Sequence, residues 1–181
     1  LLKIGNDLRL LSSGPRAGLG EIRLPSLQPG SSIMPGKVNP VIPEMVIQAA
    51  VYVKGKAASV GMAAAAAPLE LNIMMPLIAY ETLDSLSLMT NTARVLADRC
   101  IRGIEADPQR CAEWVEWSLA LVTPLATRIG YDKAAEIAYR AFKEKKTVRQ
   151  LLGETGLLGP EEIEEVLDPE SMIGGQHQEA T

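Results

Sequence analysis

The stretch Leu1–Leu11 places apolar residues at positions 1, 4, 8 and 11, the spacing of one face of an α-helix. That helix opens without a capping residue, which sets the expectation that further chain precedes it. From Ser12 to Gly36 the periodicity vanishes. Ser13-Gly14-Pro15, Leu24-Pro25, Gln28-Pro29-Gly30 and Met34-Pro35-Gly36 predict a long loop. Structureless loops of this length inside a compact protein are uncommon and often carry function.

Either Pro40 or Pro43 opens the next helix, since proline is tolerated in a first helical turn. Residues from Glu44 to Ala66 are strong helix formers, mostly small and apolar, as in a helix buried on most sides within a bundle. Pro68 ends it. A second long helix is expected from Met75 to Arg102, with Leu83, Leu86, Leu88, Val95 and Leu96 on its apolar faces and Gly103 at its end. Asp107-Pro108 reads as a boundary, a cap followed by a first-turn proline. Beyond it, shorter helices are predicted at 109–119, 131–144, 147–152 and 160–167. The pattern contains no strand pair and no internal repeat. The expected class is all-α. Part of a long-helix bundle (1–106, with a loop of interest at 13–40) precedes a small helical C-terminal domain (107–175) and a disordered tail (176–181).

Composition narrows this picture. Hydrophobic residues make up 47% of the 181 positions and aromatics only 4%, so Ala, Leu, Val, Ile and Met must build the core. The net charge of −4 argues against a nucleic-acid partner, which calls for a basic patch. No apolar run is long enough for a membrane span. Cys100 and Cys111 are expected to be reduced, in keeping with a cytoplasmic protein. With two cysteines and one histidine, His177 in the polar tail, no protein-built metal site and no cofactor are expected. Lys54 and Lys56 read as solvated, and Met74 and Met75 as core.

The candidate chemistry lies in the loop. Ser31, Ser32, Lys37 and Asn39 fall within nine residues, beside Gly30 and Gly36. Successive N–H groups around Gly30–Ile33 can form an anion nest. Lys37 adds a full positive charge, and Asn39 an amide that can donate to a carboxylate. These groups suit a clamp on a small carboxylate. The same composition also suits a surface loop whose Ser and Asn cap helices.

The run Gly30-Ser31-Ser32-Ile33-Met34-Pro35-Gly36-Lys37-Val38-Asn39-Pro40 resembles the signature of the fumarase/aspartase superfamily, G-S-S-x-M-P-x-K-x-N-P. Ser13-Gly14-Pro15-Arg16 with Gly20-Glu21-Ile22, Leu69-Glu70-Leu71-Asn72, and Ile129-Gly130-Tyr131-Asp132-Lys133-Ala134-Ala135 extend the likeness, the last toward class II fumarases. The resemblance implies a lyase of small dicarboxylates (fumarate and malate, or aspartate) that works as a homotetramer with sites drawn from three subunits. It implies Ser31 as the base and Ser32, Lys37 and Asn39 as substrate-carboxylate ligands. Glu44 would orient a histidine, and His177 matches no such motif. Upstream carboxylate-binding loops have no counterpart, so this chain is expected to cover the C-terminal part of such an enzyme, inactive alone. Ala63–Ala67 with Pro68, and Ala126, depart from the family's pattern. Fumarate hydratase is the favoured reading and aspartate ammonia-lyase the second. A non-catalytic helical relative, and a metal or redox module on Cys100 and Cys111, are the readings outside that class.

Overall fold

The structure is a computed structural model, and it describes residues 1–173. The tail 176–181, with His177, lies outside the described residues. The chain divides into two compact units, Leu1–Asp107 and a second beginning at Pro108. Each has its own core.

In the first unit, α1 (Leu2–Leu11), α2 (Val41–Ala65) and α3 (Met75–Arg99) are the helices. Pro40 precedes α2 and Pro43 sits in its first turn, where a missing N–H costs nothing. The helix stops before Pro68. Asn72 then starts α3, its Oδ1 accepting from the Met74 N–H at 2.8 Å while its Nδ2 reaches the Ala63 carbonyl at 3.5 Å. These contacts, with Lys56 against Glu81 further along, show α2 and α3 running antiparallel.

The core of this unit gathers Leu8 of α1, Val46 of α2, and Leu96 and Cys100 at the end of α3. Ile22, Leu24, Ile42 and Met45 pack around it. It therefore lies beneath the two ends of the loop between α1 and α2. Of the N-terminal apolar stripe, Leu8 is buried, whereas Ile4 is 48% exposed.

Three expectations change. First, a strand pair exists: β1 (Ile22–Arg23) runs antiparallel to β2 (Glu105–Ala106). Two-residue strands so far apart in sequence leave no alternation to read. The pair is fixed by the Asp107 N–H donating to the Glu21 carbonyl and by Arg23 Nη2 on Asp107 Oδ2 at 2.7 Å. Second, α2 is not buried on most sides. Val51, Tyr52 and Met62 are exposed, as are Tyr80, Leu83 and Leu86 on α3 and Met75 at its start. Third, Lys56 is buried, 6% exposed, with its Nζ 2.6 Å from Glu81 and 2.9 Å from Asp84 and facing the rings of Tyr52 and Tyr80. Lys54 is exposed.

The second unit comprises α4 (Pro108–Trp117), α5 (Val122–Ile129), α6 (Tyr131–Glu144), α7 (Val148–Thr155), α8 (Pro160–Val166) and α9 (Pro169–Met172). Leu121, Leu125, Ile137, Leu151, Leu152 and Leu167 centre its core. Thr147 and Gln150 form a reciprocal cap at the start of α7. The helix α5 escaped the periodicity because it is eight residues long and carries Pro124 in its first turn. Tyr131, Asp132 and Lys133 are exposed. Among the described residues, no helix is long and apolar enough to cross a membrane.

Candidate active site

The loop from 28 to 40 folds back on itself. Pro29 and Val38 form an antiparallel bridge, and the Gly30 N–H donates to the Lys37 carbonyl at 2.7 Å. Asn39 Nδ2 donates to the Gly30 carbonyl at 3.0 Å, which commits one of its two N–H groups to closing the loop. Only glycine fits at position 30. A Cβ there would stand 2.8 Å from the Lys37 oxygen and 2.9 Å from the Asn39 nitrogen.

Inside this closure, the N–H groups of Ile33 and Met34 both donate to Ser31 Oγ, each at 3.1 Å. The anion nest therefore differs from the one expected around Gly30–Ile33. The Gly30 N–H is spent on Lys37, and the donors that converge are those of Ile33 and Met34. They converge on the serine oxygen itself. Two N–H donors aimed at one oxygen would stabilise negative charge that develops on it.

A cleft of about 750 Å³ is lined by Arg9, Lys37, Asn39 and Glu44, together with Ser13 and Met34. A second, of about 370 Å³, is lined by Ser31 and Lys37 with Gln28 and Pro29. Lys37 borders both, and its side chain is exposed. The structure thus gathers Lys37, Asn39 and Glu44 at one cleft and Ser31 and Lys37 at the other. Ser32 is exposed and lines neither. Glu44, in the first turn of α2, is half-buried, and its Oε1 lies 3.9 Å from Arg9 Nε. Arg9 did not stand out in the sequence. It belongs to an amphipathic helix whose charged face reads as solvated.

Cys100 is buried in the first core, and burial raises its thiol above the ordinary range. A buried thiol held protonated is a poor metal ligand and a poor nucleophile. No group of three or more His, Cys, Asp or Glu side chains is placed to hold a metal ion among the described residues. Neither observation supports a redox or metal module on Cys100 and Cys111.

Comparison with known proteins follows the same loop. A family profile described as "Lyase" matches residues 1–55, and one described as "Fumarase C C-terminus" matches residues 121–174. Among curated relatives, the aspartate ammonia-lyase of Pseudomonas fluorescens is 51% identical over 96% of this chain and 36% of its own length. The class II fumarate hydratase of Xylella fastidiosa (strain Temecula1) is 49% identical over 98% of this chain and 38% of its own. The chain belongs to the fumarase/aspartase superfamily. It spans a little over a third of the length of these relatives. Solved structures agree. The class II fumarase of Schistosoma mansoni superposes with a TM-score of 0.88 at 42% identity, covering 94% of this chain and 36% of that one. A fumarate lyase:delta crystallin structure from Brucella melitensis, bound to cobalt, gives 0.88 at 49% identity, covering 96% and 38%. Both are helical lyase folds of the expected class.

Proposed function

We propose that this chain is the C-terminal part of a lyase that interconverts malate with fumarate and water. The observation that carries the reading is the pair of backbone N–H groups on Ser31 Oγ. In this mechanism Ser31, as its alkoxide, takes a proton from the carbon beside a substrate carboxylate. That carboxylate becomes a dianionic aci-carboxylate, whose electron pair then forms the carbon–carbon double bond while the hydroxyl on the next carbon takes a proton from an acid or water supplied by the rest of the site and leaves as water. Charge develops mainly on the carboxylate, so donors and cations aimed there stabilise the transition state most. Lys37 supplies the cation. Asn39 supplies its remaining amide N–H and Ser32 its hydroxyl. Glu44 orients a histidine from elsewhere in the assembled enzyme.

The facing wall of the site comes from other segments and, as the family resemblance implies, from other subunits of a homotetramer. The exposed apolar faces of α2 and α3 are consistent with such burial. The enzyme works in the cytoplasm, and the 181-residue chain alone has no turnover.

The second reading is release of ammonia from aspartate. It is favoured by the 51% identity to the ammonia-lyase of Pseudomonas fluorescens, against 49% for the Xylella fumarase. The full-length gene product, assayed with malate and with aspartate by the absorbance of the fumarate double bond, decides between them. Turnover of malate supports the first reading. Turnover of aspartate alone replaces it with the second.

A further inference from the structure

We infer that Arg9 is a positioning residue for Glu44, held in place by close packing of α1 on the first turns of α2. The inference rests on the reading of Glu44 given above and extends it to a helix that carries none of the signature residues.

The packing comes first. Gly5 is buried, and a Cβ built on it would lie 2.8 Å from Ile47 Cγ1 and 3.1 Å from the Pro43 carbonyl oxygen. The absence of a side chain at Gly5 therefore sets how near α1 comes to α2. Leu8 fixes the same approach from within the core, beside Val46. Arg9 follows Gly5 by four residues, one turn along the same face. That spacing brings its guanidinium to Glu44.

The contact is electrostatic. At 3.9 Å, Arg9 Nε to Glu44 Oε1 is too long for a hydrogen bond. It still places a permanent positive charge beside the carboxylate, at the rim of the cleft that Lys37 and Asn39 share. Arg9 faces Oε1, which leaves Oε2 for the histidine that the proposed function assigns to Glu44. Arg9 thus aims the Glu44 carboxylate through charge. Because the contact uses charge rather than a two-pronged fork, lysine can replace arginine in part.

The test is a double-mutant cycle in the full-length gene product, with whichever of malate or aspartate it turns over. R9Q is expected to lower kcat roughly five- to tenfold with KM changed less than about twofold, the size of one charge pair near 4 Å in a partly hydrated setting. R9K is expected to recover most of the loss. In an E44Q background, R9Q is expected to cost less than about twofold, because its target is gone. Wild-type kcat in R9Q overturns the inference, as does an equal loss in the E44Q background or an R9K no better than R9Q. If R9Q does not fold, R9M alone and R9M in the E44Q background give the same comparison, since methionine also removes the charge while keeping a long side chain. Unchanged turnover in E44Q by itself would instead sink the reading of Glu44, a result distinct from failure at Arg9.

Discussion

The side-chain amide of Asn39 donates to the carbonyl of Gly30 at 3.0 Å, so the two ends of the signature loop are tied by one of the residues assigned to substrate. Asn39 thereby has two tasks, closing the loop and facing the cleft. Gly30 has one, to let the strands of the loop approach. Gly30→Ala places a methyl group against the Lys37 oxygen and the Asn39 nitrogen. It should lower kcat of the full-length enzyme roughly 10- to 100-fold, the cost of shifting reactive groups by about an ångström. Steady-state kinetics check this, and the melting temperature should change little because the loop is exposed.

Lys56 makes a different prediction. Its ammonium group neutralises Glu81 and Asp84 across α2 and α3 in a buried setting. K56M leaves two carboxylates facing each other without a counter-charge and should lower the melting temperature. The side-chain hydrogen bonds that Lys56 donates to Glu81 and Asp84 raise its pKa above the ordinary value. A raised pKa means the stabilisation is fully present below the unfolded-state value and is lost only as pH rises through the folded one. The difference in melting temperature between wild type and K56M should therefore stay flat from about pH 6 to pH 9. Thermal melts across that range check it.

The second unit should respond to its own core. Leu151 and Leu152 are fully buried. Leu151→Ala should cost about 2–5 kcal/mol, from lost burial plus the cavity left behind. The loss should fall on the amides of α5 to α8, and hydrogen exchange resolves where it falls.

Much of this was legible in the sequence, for identifiable reasons. The long helices announced themselves because Pro40, Pro43 and Pro68 punctuate long runs of helix formers, although the second ends at Arg99, short of the Arg102 expected from Gly103. The loop announced itself through a string too specific to arise from turn chemistry alone. What stayed hidden depended on contacts between distant positions. The β1–β2 pair is set by Glu21 and Arg23 meeting Asp107, which no local pattern encodes. Lys56 reads as solvated until α3 brings Glu81 and Asp84 to it. The donors on Ser31 are backbone groups, which carry no mark in the amino-acid string. Arg9 looks like any charged residue on an exposed helix face until Gly5 is seen seated on Pro43.

We propose that Ser31 acts as the base within the Ile33–Met34 donor pair. Single-turnover and steady-state kinetics of Ser31→Ala in the full-length enzyme test it most directly, with circular dichroism confirming the fold. Loss of nearly all turnover is expected, on the order of a thousandfold or more for removal of a catalytic base and of the oxygen its donors serve. Turnover by Ser31→Ala within a few-fold of wild type would contradict it.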